Sequence, residues 1–328
     1  MATRDEATAG EIGLRARELA DRLARGERRA IAQAISRVED DTPVGRALLD
    51  LVFPRTGGAY RLGVTGPPGS GKSTLVHGLA RRLRDGGRRV GVLAIDPTSP
   101  FTGGAILGDR VRMTSAAGDE GFFVRSMASR GSTGGVSAAT YEASEILEAA
   151  GFDWILIETV GVGQAELEVV ELTDCVLLVL VPESGDAVQV MKAGIMEIAD
   201  LFVINKFDRE GGDRLQRDLM LAMELSDWRR PGGWTPPVVP AVALREEGLD
   251  EILARAEEHR AWLLGDRERL REARAAKLRK RMEVLLNRTL IERTWRGSAL
   301  RARLDQDLAR IAAHELSPYQ WVEDALSL

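Results

Sequence analysis

The spacing of hydrophobic positions changes twice along the chain. From Glu11 to Phe53 apolar residues recur every three or four positions: Leu14, Leu19 and Leu23, then Ile31, Ile35 and Val38. That spacing gives helices one buried face. Gly26 is expected to divide one helix from the next, and residues 1–10 are expected to fray. Pro54-Arg55-Thr56-Gly57-Gly58 reads as a linker. From Ala59 to about Leu244, short apolar runs alternate with amphipathic stretches. Strands are predicted over 60–65, 89–95, 121–126, 154–158, 175–181, 201–205 and 238–243. Helices are predicted over 72–85, 135–150, 164–172, 186–199, 213–226 and 248–264. Continuous runs such as Val176–Val181 indicate strands covered on both faces. The expected fold is therefore α/β, a mostly parallel sheet wrapped by helices, with ligands beyond the C-terminal ends of the strands. After Gly265 the pattern is helical over 266–296 and 299–316. Three regions follow: a helical N-terminal extension (1–54), a sheet domain (55–264) and a helical C-terminal arm (265–328). Leu278, Met282, Leu285 and Thr289 form a narrow stripe on the arm. It packs either on the chain's own core or on a second subunit.

The strand Leu62–Thr65 runs directly into Gly66-Pro67-Pro68-Gly69-Ser70-Gly71-Lys72-Ser73. This fits the phosphate-binding P-loop. Glycines let the backbone turn its N–H groups inward at phosphate oxygens. Lys72 is expected to reach the β- and γ-phosphates and Ser73 to hold Mg²⁺. Thr74 continues the phosphate-facing first turn, and the helix adds its positive end. A Gly/Pro-rich turn could match by chance, but the flanking strand and the Leu75, Leu79, Leu83 helix argue otherwise.

Asn205-Lys206-Phe207-Asp208 follows the strand Leu201–Ile204 and fits the guanine-reading N-K-x-D pattern. Asp208 can accept from guanine N1–H and the exocyclic amine, whereas adenine presents an acceptor at N1. The Lys206 stem can lie along one base face. Ala241-Val242-Ala243 occupies the stretch where GTPases often carry Ser-Ala. A backbone N–H there is expected to reach guanine O6 without a serine hydroxyl. Glu158, ending the strand Trp154–Ile157, stands where most P-loop GTPases have Asp, with Gly161 three residues on. A carboxylate at this point positions Mg²⁺. Gln164 either orients the attacking water or merely starts a helix. Asp96 at the end of Leu93–Ile95, and Asp109 beyond it, are further candidates for the metal and the water, although a turn initiator and a surface ion pair are the simpler roles. Arg110, Arg125 and Arg130 are conceivable transition-state partners with nothing specific behind them.

Composition narrows the classes. The 328 residues are 44% hydrophobic, with a net charge of −5 and a single cysteine, Cys175. A sizeable core can form. The acidic balance disfavours nucleic acid or an anionic membrane as main partner. One cysteine excludes an intramolecular disulfide framework and suits a reducing, cytoplasmic setting. The N-terminus lacks a signal peptide's apolar core, and no run approaches a membrane span. The basic run Lys277–Arg281 reads as a solvated helix face.

Three stretches carry a family resemblance: Ile95-Asp96-Pro97-Thr98-Ser99-Pro100-Phe101-Thr102-Gly103-Gly104, Glu158-Thr159-Val160-Gly161-Val162-Gly163-Gln164, and Lys192-Ala193-Gly194-Ile195-Met196-Glu197-Ile198-Ala199-Asp200. Together they resemble the MeaB/ArgK family of SIMIBI-class P-loop GTPases, over about residues 12 to 300. The resemblance implies a GTP-hydrolysing chaperone of an adenosylcobalamin-dependent acyl-CoA mutase, typically methylmalonyl-CoA mutase. It would gate cofactor loading from an adenosyltransferase and protect or rescue the mutase. The resemblance also implies a homodimer held by the C-terminal arm. Asp96, Asp109 and Glu158 become the metal-side acids, and Lys192 adds charge near the phosphates in the activated complex. Pro182-Glu183-Ser184-Gly185-Asp186 departs from the family's Pro-Gly-Ala-Gly-Asp, which leaves the client mutase open. Two rival readings remain, a nickel metallochaperone of the same architecture and a transport-system protein kinase, an older label attached to the ArgK name. A nickel metallochaperone would need Cys/His ligands, and the chain has one Cys and scattered His77, His259 and His314. A transport-system protein kinase would need a phosphoacceptor site, which is not visible.

Overall fold

The computed structural model describes residues 2–96, 119–128, 135–159, 165–182, 195–225, 232–295 and 299–326. The chain forms two compact units, 1–277 and 278–328. The first is built on seven strands: β1 (Tyr60–Thr65), β2 (Val90–Asp96), β3 (Phe122–Ala128), β4 (Trp154–Thr159), β5 (Cys175–Leu180), β6 (Leu201–Ile204) and β7 (Val238–Pro240). Their order is β3-β2-β4-β1-β5-β6-β7, and every paired neighbour is parallel. Alternate residues of one strand feed opposite cores. Trp154 and Leu156 enter one hydrophobic cluster and Ile155 and Ile157 another. This is the two-sided burial expected of parallel strands.

Helices α4 (Lys72–Asp85) and α8 (Leu249–Leu264) cover one face. The other carries α5 (Gly135–Ala149) and α6 (Ala165–Leu172), with α7 (Gly212–Leu225) over β5 and β6. Three N-terminal helices, α1 (Ala2–Ala24), α2 (Arg28–Glu39) and α3 (Pro43–Val52), share the α5 core through Leu23, Ile31, Ile35, Leu48 and Val52. The preface therefore belongs to the nucleotide unit's own core. It differs from expectation in two ways. The helix begins at Ala2 rather than after a frayed stretch, and a second break follows Gly26. Thr42 caps α3 by accepting from the Gly45 N–H (3.0 Å), with Pro43 at the first helical position. Both choices end one helix and start the next.

The linker 56–59 is fixed by α5. Glu148 Oε1 accepts from the backbone N–H groups of Gly57, Gly58 and Ala59, and Glu148 Oε2 pairs with Arg61 at 2.8 Å. On the edge strand, Arg125 is committed to α2, donating to Ser36 Oγ at 3.1 Å and pairing with Glu39. That removes it from the transition-state candidates. Helix α9 (Arg267–Trp295) starts within the first unit, where Lys277 pairs with Asp174 at 2.9 Å and Arg274 donates to Gly57 O at 2.6 Å.

The second unit contains the rest of α9, α10 (Ala299–Ala312) and α11 (Pro318–Leu326). Helix α11, not foreseen from the pattern, buries Trp321 and Ala325, and Trp321 Nε1 donates to Asp307 Oδ2 at 3.1 Å. Leu278, Met282, Leu286, Leu290, Ile291 and Trp295 are exposed along α9. Thr289 is also exposed, while Leu285 is partly buried. Of the predicted helix 186–199, residues 186–194 lie outside the described part, and Ile195–Ile198 form a 3-10 turn.

Candidate nucleotide site

The site lies at the C-terminal ends of β1, β4 and β6, where the strand order reverses direction around β1. After Thr65 the chain turns through Gly66 at φ 139°. A Cβ on Gly66 would stand 2.2 Å from Val179 O, so only glycine lets the loop pass over β5. Gly71 precedes α4 at φ 90°, and its missing Cβ leaves room for Asn205 Nδ2. Lys72 is buried and folds back over the loop, donating to Gly66 O (2.8 Å) and Pro67 O (2.9 Å). Its ammonium is thereby held at the phosphate end of α4. Pro67, Pro68, Gly69 and Ser70 complete the loop, and Thr74 sits in the helix's first turn.

Ser73 Oγ donates to Glu158 Oε1 at 2.5 Å. Behind them the buried Thr159 and Thr65 hydroxyls bond at 2.9 Å, tying the ends of β4 and β1. A hydroxyl and a carboxylate side by side at a phosphate loop form the oxygen-only donor set that a hard cation takes. Ser73 and Glu158 therefore fit Mg²⁺. Among the described residues no group of three or more His, Cys, Asp or Glu forms a separate metal cluster.

On the base side, Asn205 does structural work that its motif does not announce. Its Nδ2 donates to Ser70 O at 2.7 Å, and its Oδ1 accepts from Ala243 N–H at 3.0 Å. One buried side chain thus couples the phosphate loop to the base loop. Lys206 follows at φ 57°, a left-handed turn that directs the chain toward Asp208. Phe207 N–H donates to Ala241 O at 3.1 Å. The three N–H groups expected to serve guanine O6 are all used within the protein: Ala241 by Ile204 O (2.9 Å), Val242 by Glu247 O (3.1 Å) and Ala243 by Asn205. A base contact from this stretch requires one of these bonds to exchange.

Sequence reasoning missed the frame around that loop. Glu246, at φ 59°, pairs with Arg81 of α4 and accepts through its carbonyl from Arg82 at 3.0 Å. Arg82 also meets Asp250 at 3.2 Å. Arg245 pairs with Asp208 at 2.9 Å. None of these follows a local periodicity; each joins segments distant in sequence.

Asp96 ends β2 at the same sheet edge, but its side chain lies outside the described residues, as do Asp109, Gly161, Gln164, Lys192, Arg110 and Arg130. Cys175, at the opposite end of its strand, is fully buried, and burial followed by the Asp200 charge pushes its thiol well up. It packs as a small apolar group.

Fold and site together define a P-loop nucleotide-binding protein. Residues 31–299 match the family described as Methylmalonyl Co-A mutase-associated GTPase MeaB. The chain belongs to this family. A protein of Pyrococcus abyssi named as a GTPase is 46% identical over 303 residues, covering 92% of this chain and 93% of that protein. GTPase ArgK of Escherichia coli is 42% identical over 241 residues, covering 70% and 72%. The solved structure of a protein described as LAO/AO transport system kinase superposes with a TM-score of 0.69 at 29% identity, covering 95% of this chain and 96% of that one. No helix of the described residues is long and apolar enough to cross a membrane.

Proposed function

We propose that the protein hydrolyses GTP to GDP and phosphate, and that its nucleotide state is read by an adenosylcobalamin-dependent acyl-CoA mutase, methylmalonyl-CoA mutase first among them. The observation that carries this reading is the family match over 31–299, joined to a P-loop and an N-K-x-D loop coupled through Asn205. Hydrolysis is in-line attack of water on the γ-phosphate, and the protein's part is positioning and charge neutralisation. Lys72 exchanges its loop carbonyls for phosphate oxygens. Ser73 and Glu158 hold Mg²⁺, which supplies charge neutralisation at the phosphates when bound. Asp208 selects guanine. Asp96, Asp109, Gln164 and Lys192 are proposed to complete the catalytic loops. The exposed apolar row along α9 favours a homodimer arm, since such a face gains by covering.

The proposed domain division is a helical extension over 1–54, the GTPase domain over 55–264 and the arm over 265–328. An adenosyltransferase is the proposed donor of the cofactor whose loading is gated, and the cytoplasm the proposed setting. Two measurements test the reading. Complex formation with methylmalonyl-CoA mutase should depend on whether GDP or a non-hydrolysable GTP analogue is bound. Labelled γ-phosphate should appear in inorganic phosphate. Label transferred to protein would instead favour a kinase, the activity for which the structural neighbour is named.

A further inference from the structure

We propose that Arg245 is a latch on the base-selecting carboxylate: its guanidinium occupies Asp208 until guanine displaces it. This rests on the reading of Asp208 as the guanine selector. Arg245 Nη2 lies 2.9 Å from Asp208 Oδ2. The two residues come from separate segments, one just after β6 and the other in the 3-10 turn Ala243–Arg245 after β7. That turn is set independently of the pair. Arg245 N–H donates to Val242 O at 2.9 Å, and Glu246 is held by Arg81 and Arg82. The guanidinium is thus delivered to Asp208 by a fixed frame. The two side chains remain 53% and 42% exposed, so a ligand can open the pair from solvent.

The chemistry of the contact gives the latch its selectivity. A guanidinium presents parallel N–H donors to a carboxylate. Guanine's N1–H and exocyclic amine are donors too, so the Arg245 Nη2 group, in ion-pair contact with one Asp208 oxygen, covers an acceptor that the base edge would use. A purine with an acceptor at N1 cannot replace it and leaves the latch shut. On release, Arg245 has a second acceptor at hand, because Glu247 Oε1 lies 3.6 Å from its Nε. Guanine entry is then a hand-over of Arg245 from Asp208 to Glu247.

The test is the affinity of GDP, ADP and inorganic pyrophosphate for the full-length protein and for Arg245→Ala and Arg245→Lys, at low and high salt. An exposed ion pair of this kind corresponds to about a two- to fivefold change in affinity. Arg245→Ala should tighten GDP by that factor at low salt, and the gap should close toward unity near 0.5 M salt, where the Debye length is about 4 Å. Pyrophosphate, which engages only the P-loop, should bind all three proteins equally and doubles as the folding control. Arg245→Lys, which keeps the charge on a more strongly hydrated head group, should fall between. Unchanged or weaker GDP binding in Arg245→Ala, or an equal gain for pyrophosphate, overturns the latch alone. If every protein binds pyrophosphate but none prefers GDP over ADP, the guanine reading fails and the latch with it.

Discussion

Replacing Asn205 by alanine severs a buried side-chain bridge between the phosphate loop and the base loop. Two backbone groups lose their partners: Ser70 C=O at 2.7 Å and Ala243 N–H at 3.0 Å. Both sit in buried residues, 0% and 5% exposed, so water does not readily replace Asn205. Each orphaned group costs about 1–3 kcal/mol, giving about 2–4 kcal/mol after partial relaxation. For a unit of this size that is a fall of roughly 5–15 °C in melting temperature. Asn205→Asp separates the two bonds. It retains an acceptor for Ala243 but sets a carboxylate oxygen against Ser70 O, so the phosphate loop takes the damage. Thermal unfolding by circular dichroism and GDP titration read both effects. Both variants should melt lower and bind GDP more weakly. Wild-type melting and wild-type GDP affinity in Asn205→Ala would refute the bridge.

Other substitutions probe separate parts of the frame. Gly66→Ala forces a Cβ toward Val179 O and strains a φ of 139°, so GDP binding by titration should be lost while the circular dichroism spectrum keeps its helical content. Glu148→Ala leaves Arg61, only 12% exposed, and three linker N–H groups without their acceptor. Urea unfolding should show a loss on the order of 3–5 kcal/mol, with Glu148→Gln intermediate. At Asp174, burial alone would raise the carboxyl, but Lys277, Arg61 and the Arg61 N–H outweigh it and hold the group below its usual value. A depressed acid stabilises fully above its unfolded pKa of about 3.9, and the benefit fades as pH falls through the folded value. Lys277→Ala should therefore destabilise at neutral pH, and the gap from wild type should narrow below about pH 4 in chemical denaturation across pH.

The strands were legible because each is an apolar run bounded by turn residues, and each begins within a residue of its expected start. β7 alone ends well short, at Pro240 rather than 243, because Ala241–Ala243 are drawn into the base loop by Asn205 and Glu247. Thr42-Pro43 was a readable signal for the extra break inside the expected helical stretch 11–53, and Ser317-Pro318 opens a helix beyond the stretch 299–316 where the periodic pattern stops. The P-loop and N-K-x-D stretch stood out as motifs at strand ends, and the structure brings Ser70 and Asn205 together there. Their coupling through Asn205, the Glu246 clamp and the Arg245–Asp208 pair did not show, because contacts between distant segments leave no period in sequence. Asp109, Gln164 and Lys192 fall outside the described residues, so their roles rest on motif alone.

If an acyl-CoA mutase reads this protein's GTP cycle, the cycle should respond to the mutase. Steady-state phosphate release from GTP in Mg²⁺, measured with and without methylmalonyl-CoA mutase, tests this most directly. Slow intrinsic turnover should rise on adding the mutase, and both rates should be abolished in Lys72→Ala. A rate unaffected by this and other acyl-CoA mutases would contradict the proposed function.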